Sequence, residues 1–333
     1  MGIGISVAEF ALGALVSLLM SWVLVTRLER VGERFGLSEA LLGMVAALAA
    51  DTPEITASIT ALAHHQRAVG AGVVIGSNVF NLAALLGLGA VVASGFSLHR
   101  KVVLLNGAIA IWVALVCLIT VSDLVSPISG LFLVLIVLVP YLVLLGSYRR
   151  SLHRVPLPRR VVRWLVSAVD EEELELVVAI RPPRGTPLDF LVAVVSLVTV
   201  VGASVAMERG ASTLGIHFGV SEIVVGGLVL AAVTSLPNAV AAIYLARQKR
   251  GEAALSTGLN SNALNVAIGL LLPAVLVGLA MASTQEIFIA WWYVGLTMLT
   301  LVLAYVGRGL GRFSGSLIIA GYGIFVAVVL ATS

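Results

Sequence analysis

Apolar residues fill this chain in long unbroken runs separated by short polar punctuation. Runs of about 20 residues, enough for a helix to cross roughly 30 Å of hydrocarbon, recur along nearly the whole sequence. Ten spans are predicted, at approximately 5–26, 39–63, 70–94, 102–121, 125–147, 188–207, 219–246, 253–281, 284–306 and 314–332. The runs are continuously apolar rather than alternating, so they predict helices and not the strands of a membrane barrel. The first run lacks a basic leading segment and is too long for a cleavable signal, so it is expected to remain as a span.

Composition agrees with this pattern. Of 333 residues, 60% are hydrophobic and 11% charged, with a mean hydropathy of +1.10. Such a chain has too few polar side chains to cover a soluble surface. The expected fold class is an all-α polytopic membrane protein, with the lipid bilayer as its surroundings. Cys117 is the only cysteine and lies within a predicted span, so neither a disulfide nor a thiolate metal site is expected.

The net charge of +3 is explained by topology rather than by an acidic partner, and nothing points to nucleic acid. With an external N-terminus, Arg27, Arg30, Arg34, Arg100, Lys101, the arginines of 149–184, Arg247, Lys249, Arg250, Arg308 and Arg312 fall on one side, and only Arg67 and Arg209 fall opposite. Lys and Arg accumulate on the cytoplasmic side, so the expected protein sits in the plasma (inner) membrane with both termini external.

One long polar stretch, 148–187, divides the chain. Its basic first part suits the anionic cytoplasmic leaflet, and the acidic run and prolines that follow read as a solvated cytoplasmic linker. The halves on either side, 1–147 and 188–333, are each predicted to hold five spans. They share a repeat, over about 35–94 in the first half and 218–281 in the second. FGLSEALLGMVAALAADTPE at 35–54 matches FGVSEIVVGGLVLAAVTSLPN at 218–238, one residue longer before the proline. From there the offset is a constant 184, pairing Pro53 with Pro237, Ser77 with Ser261, Asn78 with Asn262 and Asn81 with Asn265. Five is odd, so the second copy must cross in the opposite sense. Inverted repeats of this kind place substrate sites near the midplane, at interrupted helices.

Those helices hold the candidate chemistry. Asp51 and Glu54 are three residues apart, on one helix face, and are the only acids predicted at that depth. An ionised carboxylate in hydrocarbon is expensive unless it meets water, a partner or an ion, and no Lys or Arg is near at that depth. A cation or a proton is the natural partner. Pro53 lacks an N–H and should free a carbonyl around Ala49. Carboxylate, hydroxyl, amide and carbonyl oxygens suit Na⁺ and Ca²⁺ rather than Zn²⁺. The third span supplies Gly76, Ser77, Asn78 and Asn81, and the eighth supplies Asn260, Ser261, Asn262 and Asn265. Across the repeat, Thr234, Ser235, Pro237 and Asn238 correspond to Ala50, Asp51, Pro53 and Glu54, with no acid among them. Small and polar residues also hold helices together, the alternative role for Ser77, Ser261 and the amides. His64 and His65 at an outer helix end are read as interfacial before pH-sensing, Glu39 and Glu222 at helix starts as structural before functional, and Glu9 as a position that an ion pathway could use but that its place alone does not promote.

TSLPN at 234–238, GSNVFN at 76–81 and the more divergent ADTPE at 50–54 resemble the paired motifs of the cation/Ca²⁺ exchanger superfamily, the sodium/calcium exchanger type. The resemblance covers both repeats. It implies ten transmembrane helices as two inverted five-helix repeats, two of the helices mobile beside a core, and exchange of Na⁺, H⁺ or K⁺ for Ca²⁺ by alternating access. Glu54 matches the family's first ligand-bearing glutamate. Asn238 stands where the second is expected, and Asn265 where members carry Asn or Asp, so both are neutral here.

The expected function is secondary cation antiport, Na⁺ or H⁺ against Ca²⁺ or another cation, with Asp51, Glu54, Ser77, Asn81, Thr234, Ser235, Asn238, Ser261 and Asn265 as ion ligands and Glu54 and Asp51 at their centre. Alternatives are a monovalent cation/H⁺ exchanger, the two carboxylates sharing a proton, and an ion-binding protein that does not transport. An intramembrane enzyme lacks a nucleophile and base pairing, so no catalytic residues and no organic cofactor are expected. No phosphate-binding G-x-x-x-x-G-K-[ST] stretch is present, so ion gradients would drive transport. The sequence identifies no protein partner.

Overall fold

A computed structural model describes residues 2–151, 160, 162–170, 184–248, 250–279 and 283–332, without the side chains of 39, 40, 146–151, 242 and 243. Twelve helices carry the architecture: α1 Ile3–Arg34, α2 Glu39–Ala50, α3 Thr52–Ala63, α4 Arg67–Val92, α5 Arg100–Val121, α6 Pro127–Ser151, α7 Pro187–Phe218, α8 Glu222–Thr234, α9 Leu236–Arg247, α10 Gly251–Val277, α11 Thr284–Gly307 and α12 Arg312–Ala331. Among the described residues, eight helices are long and apolar enough to span a membrane, and the bent pair α8–α9 makes a ninth.

The count falls below ten where the predicted span at 39–63 divides. Its halves, α2 and α3, have 12 residues each, so each rises only about 18 Å. The break falls at Asp51, two residues before Pro53, and its counterpart falls at Ser235, two before Pro237, where the pair bends by 41°. Backbone angles at the two residues nearly coincide, φ/ψ of −79°/−6° at Asp51 and −83°/0° at Ser235. Proline cannot donate to the preceding turn, which is why both helices interrupt there.

The extra residue of the second copy has a structural destination. Val225–Leu230 is wound as a π-helix, whereas α2 is α-helical throughout. A π segment absorbs one inserted residue without shifting what lies beyond it, so register is restored before Ser235. The stretches after Asn81 and from Asn265 are π-helical as well, Leu82–Leu88 and Asn265–Leu271.

The core sits around α4 and α10, whose most apolar stretches are 94% and 72% buried, against 17% in α1 and 28% in α7. Close approach of α4 to α8 requires glycine. A methyl on Gly76 would meet Gly227 O at 2.2 Å, and one on Gly226 would meet Val69 O at 2.3 Å. Small residues allow such backbone contact between apolar helices.

Helices α1 and α7 pair antiparallel at the periphery. Ser17 and Ser204 hydrogen-bond at 2.8 Å, and Arg27 and Arg30 reach Asp189 Oδ1 at 2.7 and 3.4 Å. Thr186 caps α7 reciprocally with Asp189. The sequence-predicted end of α7 at 207 was too early. Glu208 and Arg209 lie well inside a helix that continues to Phe218, where Gly219 at φ +64° closes it. Only part of the polar stretch 148–187 is described: α6 continues through Ser151 and 162–170 is helical, while its acidic run beyond Asp170 lies outside the described residues.

Candidate ion site in the broken helices

The break at Asp51 places that residue and Glu54 at the head of α3, facing α8–α9 and α10. Both carboxylates are completely buried. Ser235 Oγ donates to Glu54 Oε1 at 2.5 Å, and Asn238 Nδ2 donates to Asp51 Oδ1 at 2.6 Å. These contacts are counterparts under the 184-residue offset, since 51 pairs with 235 and 54 with 238. In each, the residue three positions after a break touches the break residue of the opposite copy. Each contact contains one carboxylate.

The amide motifs repeat this exchange. Asn78 Nδ2 donates to Asn262 O and Asn262 Nδ2 donates to Asn78 O, both at 3.1 Å. Asn81 Nδ2 reaches Asn262 Oδ1 at 3.1 Å, and its counterpart Asn265 Nδ2 reaches Asn78 Oδ1 at 3.3 Å. Asn78 and Asn262 therefore fasten α4 to α10, while Asn81 and Asn265 give up their amide protons and keep their oxygens. Ser261 joins the two layers, donating to Asp51 Oδ1 at 2.7 Å and accepting from Asn238 at 3.3 Å and Asn81 at 3.2 Å.

Four buried oxygens in this network have no N–H or O–H donor, Asp51 Oδ2, Glu54 Oε2, Asn81 Oδ1 and Asn265 Oδ1, and the buried Ser77 Oγ, beside Asn78 on α4, is a fifth without one. The carboxyls of Asp51 and Glu54 stand three residues apart, on one face at the head of α3. Unmatched acceptors are costly in a low-dielectric interior, and a set composed of oxygens alone is the chemistry that takes hard cations. Among the described residues no group of three or more His, Cys, Asp or Glu could hold a metal, so any ion here would depend on neutral oxygens beside the two acids.

Every sequence-predicted ligand is buried and lies at or beside this network, with two qualifications of role. Thr234 directs its hydroxyl to Leu230 O at 2.9 Å, within its own helix. The carbonyl at Ala49, which Pro53 leaves without a helical donor, accepts from Ser21 Oγ of α1 at 3.3 Å. His64 and His65 form the exposed turn after α3, His65 at φ +62°. Ser38 caps α2 through Leu41 N, whereas Ser221 at the start of α8 makes no such bond. Glu9 Oε2 is buried with no partner.

Similar proteins fit this arrangement. Inner membrane protein YrbG of Escherichia coli (strain K12) is 28% identical over 246 residues, 73% of this chain and 71% of that protein. Sodium/potassium/calcium exchanger 2 of Gallus gallus is 27% identical over 157 residues, of which the match spans only 24% of that longer protein. A solved structure of the sodium-calcium exchanger NCX_Mj superposes with a TM-score of 0.61 at 23% identity, covering 98% of this chain and 99% of that one, which establishes the same helical fold. The family model for sodium/calcium exchanger proteins matches residues 5–150 and 188–331, on both sides of the polar stretch, and the chain therefore belongs to that family.

Proposed function

We propose that this protein is a secondary antiporter that exchanges Na⁺ or H⁺ for Ca²⁺ or another cation at the buried network between α3, α4, α8–α9 and α10. The observation that carries the reading is the set of five partnerless oxygens, drawn from residues of both sequence copies and including both acids. Asp51, Glu54, Ser77, Asn81, Asn265, Ser235, Asn238 and Ser261 are the proposed ligands and their supports, with Thr234 contributing through its remaining lone pairs. YrbG, an inner membrane protein by name, and the exchangers named above support a cytoplasmic-membrane setting and cation exchange.

In this reading α2–α3 and α8–α9 each count as one broken span, giving ten spans in two inverted halves, 1–147 and 188–333, joined by the cytoplasmic linker 148–187. Both termini face outward in this reading, and the distribution of Lys and Arg supports that orientation. The reciprocal Asn78 and Asn262 contacts are of the kind that two inverted copies would make, and support this reading. Two carboxylates neutralise one divalent ion or two monovalent ions. Neutral Asn238 and Asn265 favour a second reading, monovalent cation/H⁺ exchange, in which the carboxyl pair carries the proton. Gradient-driven ⁴⁵Ca²⁺ and ²²Na⁺ fluxes in proteoliposomes test both. Flux of ⁴⁵Ca²⁺ supports the first and ²²Na⁺ flux driven by a proton gradient alone supports the second. No flux of any cation, the outcome expected of an ion-binding protein that does not transport, overturns both.

A further inference from the structure

Near the C-terminal end of α1, Arg27, Arg30 and Arg34 fall at i, i+3 and i+7, one stripe along about 10 Å of helix. Arg27 Nη1 and Arg30 Nη1 reach the same acceptor, Asp189 Oδ1 of α7, at 2.7 and 3.4 Å. The other oxygen of that carboxylate is already occupied, accepting from Thr186 N at 2.8 Å and Thr186 Oγ1 at 2.7 Å. Arg34 Nη1 donates to Gly185 O at 3.3 Å. Three guanidiniums, each with five N–H groups, thus share two acceptor oxygens in these contacts.

Arg184 adds a fourth positive charge. It is exposed and directly precedes Gly185, whose N–H donates to Arg30 O at 2.8 Å. Glu29 and Glu33 belong to the same helix but lie about 110° around it from the arginine stripe. Among the described residues the two contacts with Asp189 are the only ion pairs. The patch also stands where two apolar faces run out. Leu12 and Leu19 of α1 are exposed, and Arg30 comes eleven residues after Leu19, about three turns on and in line with it. On α7, Leu188, Leu191, Val195 and Val198 form an exposed stripe that begins beside Asp189. In a bilayer both stripes face hydrocarbon, which puts the arginines at the level of the lipid headgroups.

We propose that Arg30, Arg34 and Arg184 bind the headgroup of an anionic phospholipid, whose chains lie along Leu19 and the Leu188 stripe, while Arg27 holds Asp189 and so pins α7. Arginine presents paired N–H groups to phosphate oxygens, and a cluster with surplus donors and surplus positive charge matches a ligand that is negative and rich in oxygen. A zwitterionic lipid offers the same phosphate but adds an ammonium group that the cluster repels. The site shares no residue with the midplane network, so it is independent of the antiport reading, and it does not depend on the leaflet in which α1 ends.

The test follows the thermal unfolding midpoint of the purified full-length chain in nonionic detergent as phosphatidylglycerol, phosphatidylcholine or inorganic phosphate is added. Phosphatidylglycerol should raise the midpoint saturably and further than phosphatidylcholine, with the difference shrinking at high salt. In R30Q/R34Q the phosphatidylglycerol concentration at half effect should rise at least tenfold, whereas R312Q, at an exposed arginine that opens α12, should respond as the native chain does. R30Q also removes a contact with Asp189, so native mass spectrometry counts the phosphatidylglycerol bound to R34Q/R184Q, which keeps both ion pairs, and should find one fewer than on the native chain. Equal shifts with the two lipids, an equal loss in R312Q or a native count in R34Q/R184Q overturns the proposal. A shift with inorganic phosphate as large as that with phosphatidylglycerol overturns it as well, because the ligand would then be free phosphate.

Discussion

Asn238 donates its side-chain amide to the Asp51 carboxylate across 2.6 Å, and this contact is the counterpart, under the repeat, of Ser235 donating to Glu54. The second copy has no acid at its break, but its place in the contact is not without charge. The carboxylate stands on the short break residue of the first copy instead of on the long residue of the second. What sequence order presents as one charged copy and one neutral copy is, in space, two cross-helix pairs with one negative charge each.

Transposing that charge should therefore be tolerated. Asp51→Ser alone should lower cation flux at least tenfold by removing one of two charges, and Asn238→Glu alone should lower it by adding a third. The double variant D51S/N238E restores a serine–glutamate pair and should recover flux to within a few-fold of the native protein. Proteoliposome flux on the four proteins forms a double-mutant cycle. A double variant no better than Asp51→Ser would show that the side on which the charge stands matters.

Glu54→Gln separates charge from shape. The amide oxygen of Gln can still accept from Ser235, so the hydrogen bond at Glu54 Oε1 survives while the charge is lost. Flux of every transported cation should fall at least tenfold, with the thermal midpoint in detergent within a few degrees of native. Unchanged flux in this variant would remove Glu54 from the proposed ligand set.

Much of this site is legible in the sequence because polar residues inside apolar runs are few and their spacing repeats. Asp51, Glu54, Asn81 and Asn265 stand out for that reason. The relation between copies was harder to read before the proline, where one residue is inserted and alignment alone leaves Asp51 against Ser235 unsecured. The π-helix at Val225–Leu230 takes up that residue, a backbone device with no distinctive composition in VGGLVL. The division of labour among the amides was also invisible. Asn78 and Asn81 look alike in GSNVFN, and only packing makes one a fastener and the other an oxygen donor. Glu208 was missed as a buried residue because Glu208 and Arg209 together read as the end of a span. The helix continues past them for two and a half turns, and the signal available was the apolar character resuming at 210–216.

The exchanged amides set a stability prediction. Asn78→Ala and Asn262→Ala each remove one side-chain bond to the opposite backbone and strand one opposite donor. Interhelical hydrogen bonds in membrane proteins contribute about 0.6–2 kcal/mol each, so each variant should lose on the order of 1–3 kcal/mol. The two losses should be similar, and the double variant should fall short of their sum because the residues share partners. Thermal unfolding in detergent measures all three. Clearly unequal losses would argue against equivalent roles for the two motifs.

Contact between α4 and α8 gives the sharpest steric prediction, because backbone faces backbone there. At Gly76 an added methyl would lie 2.2 Å from Gly227 O, and no side chain can rotate away to make room. Gly76→Ala must push α4 from α8, next to Ser77 and Asn78, and overpacking of this kind costs about 1–3 kcal/mol or more. Gly202 of α7 provides the control, since nothing lies within 4 Å of its added methyl. There the gain in helix propensity of about 1 kcal/mol is unopposed, so Gly202→Ala should match or exceed native stability. Gly76→Ala should lower the unfolding midpoint and abolish flux together, because the displaced helix carries Asn81 as well as the amide fastener. A Gly76→Ala protein with native stability and flux would mean that the two helices are not in backbone contact in the working transporter.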